Sequence, residues 1–258
     1  MSGHASPRPY VLGETTWKSV RETGYQVAVL PWGATEAHNY HLPYGTDVVL
    51  TEHLAVESAG LAWQRGAKVI VLPTIPFGVN TGQLDIKLTI NMNPSTQAAV
   101  LADVAASLTQ QGIPRLLVFN GHGGNDFRQM LRELQPKHPA LFLCCLNWYQ
   151  VVDNGRFVRP GDHAGEMETS VMLAVAPHLV RPLAEAGPGT ARVFKLRGLR
   201  EKWVWAQRAW RHVTEDTGVG DPRGATSETG AAYVRELIEK LATFLVELAS
   251  CDPNDLYE

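Results

Sequence analysis

Four short apolar runs constrain this chain more than any other feature: 26–30 (QVAVL), 68–72 (KVIVL), 115–120 (RLLVFN) and 141–146 (LFLCCL). None alternates polar with apolar residues, so each, as a strand, would bury both faces. Helical patterns separate them. Residues 47–65 place Val48, Leu54, Ala55, Ala59 and Ala62 at helical spacing and end at Gly66, a plausible terminating glycine. Asn93-Pro94 reads as a helix start, with the helix running to Gly112, and 127–134 reads as a further helix. Doubly buried strands alternating with helices predict an α/β fold, a mostly parallel sheet flanked by helices on both faces. Further along, 167–176 reads as a helix. The stretch 181–224 is irregular and rich in Gly, Pro, Arg and Trp. The stretch 228–250 is a strong helix, with Val234, Leu237, Ile238, Leu241, Leu245 and Leu248 on one stripe. No Ser- or Pro-rich linker divides the chain, so residues 1–258 are expected to form a single domain.

Composition narrows the function classes. The 258 residues are 45% hydrophobic and 19% charged, which excludes a disordered chain. A net charge of −3 offers no basic field for nucleic acid or anionic lipid. The three cysteines, Cys144, Cys145 and Cys251, form no C-x-x-C, which excludes a disulfide scaffold and a thiolate zinc site. The N-terminal stretch MSGHASPRPYVLGETTW lacks a leader-type apolar region, and no apolar run is long enough to span a membrane. The expectation is a soluble cytoplasmic protein acting on a small molecule.

Three segments concentrate ligand-type side chains: LPWGATEAHNYHLPYGTD (30–47), NGHGGN (120–125) and DHAGEMETS (162–170). The first two directly follow apolar runs, and in open α/β sheets ligands gather at the carboxyl ends of strands. Four of the nine histidines lie here: His38, His41, His122 and His163. Glu36 and His38, two apart, share a face in extended backbone, and Asp47 follows after a turn. Imidazole with carboxylates suits Zn, Mn or Fe(II). Glycines around His122 allow a tight turn and close approach to a ligand. Glu166 and Glu168 stand at a helix start, where acids also serve as first-turn caps.

At these residues the sequence resembles the creatininase family of metal hydrolases, with the three segments in the family's order and GDPRGATSETG (220–230) also similar. The resemblance implies a sheet between helices, assembly into homo-oligomers, often hexamers, and two divalent ions per chain, Zn and/or Mn with Fe possible. By motif, Glu36 and His122 would hold one ion and His38 the other, with Asp47 bridging, while His163 would act in catalysis. Family activities include opening of cyclic amides and deformylation. Creatininase has a metal-binding glutamate two residues after the NGH histidine, where this chain has Gly124. Glu166 stands where creatininase has an apolar residue. Three ligands plus water are common at catalytic sites, so Glu166 is expected to complete the His38 site, with Glu168 a supporting or capping acid. His41, Asp162 and Asn125 are weaker candidates for supporting or substrate-binding roles: His41 orienting a ligand or merely bonded to backbone, Asp162 holding the tautomer of His163. The substrate-side segment 78–94 also departs from the His-Phe-Pro-Gly-Thr type stretch of many relatives.

The chemistry expected is hydrolysis of a C–N bond in a small cyclic amide or formamide-type substrate. The rival readings are an isomerase, lyase or ring-opening hydrolase acting on a sugar-like ketone or lactone, and a binding protein without turnover. Trp203, Trp205 and Trp210 are expected as core or subunit-interface anchors, with substrate cover as the alternative.

Overall fold

The computed structural model of the protein describes residues 6–258, so the first five residues of the N-terminal stretch read above lie outside it. In chain order the principal elements are α1 (Trp17–Glu22), β1 (Val27–Trp32), α2 (Thr46–Gln64), β2 (Val69–Val71), α3 (Pro94–Gln110), β3 (Arg115–Asn120), α4 (Arg128–Leu134) and β4 (Phe142–Asn147). They continue with β5 (Gly161–His163), α5 (Glu166–Val175), α6 (Arg197–Arg200), α7 (Trp210–Val213), β6 (Val219–Gly220) and α8 (Ser227–Ser250). Every strand and helix expected from the sequence is present, with ends displaced by a residue or two. The stretch 181–224 is largely irregular, interrupted by α6, α7 and β6.

The strands β2-β1-β3-β4 form one parallel sheet, and β5 pairs antiparallel with β6. Alternation within each strand feeds two cores. Val27, Val29, Leu117 and Phe119 point toward α2, α5 and α8, joining Leu50, Leu54, Val171 and Tyr233. Ala28, Leu30, Trp32, Leu116 and Val118 point the other way, joining Leu101, Ala105 and Leu134 of α3 and α4. This two-sided burial is why the strand sequences are apolar throughout. On α8, Leu237, Leu241, Leu245 and Leu248 are buried at helical spacing. Each such side chain contributes about 1.5–3 kcal/mol of transfer free energy before conformational entropy is counted.

Helix ends follow local chemistry. Gly66 has φ +95° and closes α2, and Gly112 has φ +73° beyond α3. Thr226 caps α8 by accepting from Thr229 N. Among the described residues no helix is long and apolar enough to cross a membrane.

The strand order places the site. From β1 the chain moves to β2 on one side and later to β3 on the other, so the loops leaving β1 and β3 diverge at a topological switch point. Gly33, just past β1, lets the first turn of α2 come close. A Cβ there would stand 2.8 Å from Val48 N and 2.9 Å from the Asp47 carbonyl carbon, both backbone atoms that cannot swing aside. By contrast, nothing lies within 4 Å of a Cβ built on Gly24. Gly33→Ala is therefore expected to cost about 1–3 kcal/mol, the usual range for overpacking, while Gly24→Ala is near neutral. Denaturant melts of the two variants check this, and equal midpoints would contradict it.

Candidate metal centre

The fold delivers the candidate residues from four places, three at the parallel sheet and one on the β5–β6 pair. Glu36 and His38 lie on the loop after β1, Asp47 in the first turn of α2, His122 just past β3, and His163 at the end of β5. All five are buried, His38 completely.

Asp47 is the centre of the arrangement. Its Oδ1 is 3.2 Å from His38 Nε2, and its Oδ2 is 2.9 Å from His122 Nδ1. Each carboxylate oxygen thus faces a different imidazole. Glu36 Oε1 stands 3.0 Å from His122 Nδ1 and 3.7 Å from His163 Nδ1. Glu168 Oε1 is 3.9 Å from His38 Nε2. Three sets of donor atoms fall within 4.8 Å of one another: Glu36, Asp47 and His122; His38, Asp47 and Glu168; and Glu36, His38 and His163.

Backbone carbonyls fix the rings. His38 Nδ1 donates to Glu36 O (3.1 Å) and His122 Nε2 to Val79 O (3.1 Å), so in each ring the other nitrogen faces the carboxylates. His163 Nε2 donates to Ala37 O (2.8 Å), leaving Nδ1 toward the cluster. Its ring also lies against His38 and, edge on, against Trp210, at centroid distances of 4.2 and 4.7 Å. Asn39 and Ala164, which directly follow His38 and His163, have φ of 56° and 51°. The chain turns sharply behind both rings, in a region non-glycine residues seldom occupy.

The electrostatics follow from crowding acids and imidazoles out of water. Burial opposes charge on His38, but Asp47, Glu168 and Glu36 outweigh it and carry its pKa up to about 10. Burial likewise opposes charge on His122, yet Glu36 and Asp47 hold it well above the usual imidazole range. Burial raises Glu36 and Asp47, and the neighbouring histidines reverse this, leaving both below the ordinary carboxylate value. For Glu168 burial prevails, and its pKa is raised despite His38 and His163. A buried set of this kind needs cations among its carboxylates. Protons on the imidazoles meet that need in part, and divalent ions suit the same nitrogen and oxygen donors.

The structure redistributes several expected roles. Glu166, expected beside His38, is turned away: its Oε2 accepts from Arg159 N at 2.7 Å, and it belongs to none of the donor sets. Glu168 takes that position, with one oxygen capping Ala164 N and the other toward His38. Two residues apart on a helix lie about 200° apart around its axis, so the two acids cannot face one cavity. Asp162 does not hold His163. It is exposed and paired with Arg208 at 3.0 Å, and the Ala37 carbonyl orients the ring instead.

His41 is fully buried, with Nε2 2.8 Å from Thr169 Oγ1, and lies outside the donor sets. Burial, reinforced by the charge of His38, holds its pKa down to about 4. Asn125 braces the loop carrying His122. Its Oδ1 accepts from Val79 N (3.0 Å) and Gln97 Nε2 (2.7 Å), and its Nδ2 donates to Asn120 Oδ1 (2.9 Å). Trp203 and Trp205 are exposed and not core, whereas Trp210 is buried against His163.

The donor sets open into a cavity of about 720 Å³, walled also by Asn80, Gln83, Tyr149, Trp205, Arg208 and Trp210. Gln83 escaped the sequence reading. It is buried and its Nε2 donates to Glu36 Oε2. A lone glutamine in a loop carries no ligand signal, and only its position against Glu36 marks it.

The sequence profile of the creatininase family, described as creatinine amidohydrolase, matches residues 13–245. A mycofactocin precursor peptide peptidase of Mycobacterium ulcerans (strain Agy99) is 28% identical, with 89% of each chain covered. The creatinine amidohydrolase of Pseudomonas putida is 27% identical over 66% of this chain and 73% of its own. The crystal structure of a candidate creatinine amidohydrolase from Bacteroides fragilis NCTC 9343 superposes with a TM-score of 0.91 at 44% identity, covering 97% of this chain and 99% of that one. A creatininase solved with manganese shares the fold at a TM-score of 0.75 and 23% identity, covering 94% of this chain and 99% of its own. The chain belongs to the creatininase family of metal-dependent amide hydrolases.

Proposed function

We propose that the protein hydrolyses the C–N bond of a small cyclic amide or formamide-type substrate at a site holding two divalent ions. One observation carries this reading: the two oxygens of Asp47 face two different histidines, each of which has its own carboxylate partner. Glu36 and His122 would hold one ion and His38 and Glu168 the other, with Asp47 between them. Solved creatininases described as manganese and as zinc–zinc forms support Zn or Mn as the metal. When bound, such ions polarise a carbonyl and lower the pKa of water toward neutrality.

The chain's own residues do the rest. Glu36, Asp47 and Glu168 supply the negative charge that retains divalent ions. The Ala37 carbonyl keeps a proton on His163 Nε2, so Nδ1, facing the cluster, is the position that can take a proton from the attacking water and pass it to a leaving nitrogen. Trp210 packs against His163 and limits water on that side. Assembly into a homo-oligomer, hexameric by family resemblance, belongs to the same proposal, and exposed Tyr40, Leu84, Leu88 and Ile90 support it.

A second reading has one observation in its favour. The 3-dehydro-scyllo-inosose hydrolase of Thermotoga maritima is 26% identical over 64% of this chain and 56% of its own. Ring-opening of a sugar-like ketone at the same site would cleave no C–N bond. A screen of cyclic amides, formamides, lactones and cyclic ketones in ¹⁸O-water separates the two: turnover of the amides, with a new N–H group and label in the acid, supports the first, and labelled products from the lactones or ketones alone support the second.

Asp47→Ala is expected to lose both ions while remaining folded, and elemental analysis showing full occupancy would remove its bridging role. Glu168→Gln is expected to retain about one ion per chain and Glu166→Gln about two, one donor set being broken in the first variant only. The reverse stoichiometry would exchange their roles. His163→Ala is expected to keep its metal and lose about 10²–10⁴-fold in turnover, the range for general acid–base catalysis. Loss of metal in that variant would make His163 a ligand instead.

A further inference from the structure

Asn39 stands directly behind His38 and joins the loop after β1 to the irregular region 181–224. It is buried. Its side-chain amide pairs reciprocally with the backbone of Gly187: Nδ2 donates to Gly187 O (3.1 Å), and Oδ1 accepts from Gly187 N (2.8 Å). Oδ1 also accepts from Tyr40 N (2.6 Å), and Asn39 N donates to Thr217 Oγ1 (2.9 Å). A flipped amide would turn its NH₂ toward two N–H groups and its oxygen toward a carbonyl, so the orientation is fixed. Gly218 leaves room for it, since a Cβ there would stand 2.7 Å from Asn39 Nδ2.

The receiving surface is itself braced. Buried Asp216 gathers it: Oδ1 accepts from Gly218 N (2.9 Å) and Thr214 Oγ1 (2.8 Å), and Oδ2 from Gly189 N (2.8 Å). The two residues after Asn39 dock on the same region, with Tyr40 Oη donating to Glu215 O (3.4 Å) and Arg181 N to His41 O (2.8 Å).

His38 depends on this anchorage because the backbone reverses at Asn39. The φ of 56° there lies in the left-handed region, which asparagine visits more readily than most residues with a Cβ. Leu42 N closes the reversal by donating to His38 O (3.4 Å). The tether from His38 Nδ1 to Glu36 O sets the tautomer of the ring but not the path of the chain beyond it. From that ring, Nε2 meets Asp47 Oδ1 at 3.2 Å and Glu168 Oε1 at 3.9 Å.

We infer that Asn39 is a positioning residue for the His38 metal position: its amide locks the turn behind the ring to the irregular region and so holds Nε2 toward Asp47 and Glu168. This rests on the proposed two-ion site and concerns how firmly one of the two ions is held. Losing a partner that orients a metal-binding imidazole commonly weakens metal binding by about 10–100-fold.

The test is calorimetric titration of the metal-free full chain with manganese alone, beside a thermal melt of each variant. Asn39→Gly keeps the left-handed turn accessible and removes the amide. It is expected to weaken one of the two ions by about 10–100-fold and to leave the other unchanged. Added to Glu168→Gln, which lacks the ion in question, Asn39→Gly is expected to change the remaining affinity by less than about twofold. Thr217→Val removes the partner of Asn39 N and is expected to weaken the same ion by a smaller factor. Thr217→Ser, which keeps a hydroxyl, is expected to retain wild-type affinity, and this pair decides the matter if Asn39→Gly does not fold. Leu108→Ala, in the core under α3, is expected to lower the melting temperature and leave both affinities unchanged. Wild-type affinities in a folded Asn39→Gly would overturn the inference. So would equal weakening of both ions, or a like loss in Leu108→Ala, since the effect would then be one of general stability. Failure of the two-ion reading shows in the wild type itself, as fewer than two ions bound. A single remaining ion that keeps its affinity in Asn39→Gly would overturn the inference too, and a wild type that binds none would overturn both.

Discussion

The arrangement turns on one buried carboxylate. Asp47 is taken out of water at the first turn of α2 and set between His38 and His122, one oxygen toward each. Three acids and three imidazoles share this space, and without cations their burial would be costly. The local structure around it serves that placement. Gly33 admits the α2 N-terminus to the end of β1, and backbone carbonyls of Glu36, Val79 and Ala37 set the tautomer of each ring. The sheet order then brings the loop after β3 alongside the loop after β1, so residues far apart in sequence meet at a single point.

Around this centre the supporting contacts divide by function. Asn120 and Asn125 fasten the NGHGGN loop to itself, to Val79 and to α3, and present His122 at a fixed angle. His41, buried against Thr169 and held neutral, ties the loop after β1 to α5 without entering the donor sets. Trp210 packs on His163, and Arg208 lies over the Trp210 ring while pairing with Asp162. The irregular region 181–224 thus takes part in the cavity despite its scant secondary structure.

The fold, and the meeting of Glu36, His38, Asp47 and His122 in one cluster, were readable because strong local signals coincide with what tertiary structure needs. Apolar runs such as KVIVL report burial on both faces, and α8 shows its buried stripe in its spacing. Glu36, His38, Asp47 and His122 stand in compact motifs directly after strands, where ligand groups collect. The choice between Glu166 and Glu168 was not readable in that way. Both stand at a helix start, both are acids, and both can cap. The rotation of α5, set by its packing against α2 and α8, turns Glu168 inward and Glu166 toward Arg159. Asp162 shows the same limit, since being next to His163 in sequence says nothing of where an exposed side chain finds its partner.

The sequence by itself determined the α/β architecture, the family and four of the residues that the structure gathers into its candidate donor sets, because burial, turn chemistry and residue type are written in residue identity and spacing. Tertiary structure alone decided which acid faces His38, which carbonyl orients His163, and that Gln83 reaches Glu36. Those outcomes depend on helix rotation and on contacts across long sequence separations, such as Gln83 with Glu36 and His163 with Ala37. No local pattern encodes them, since each is fixed only when the sheet and the helices packed on it leave one direction open.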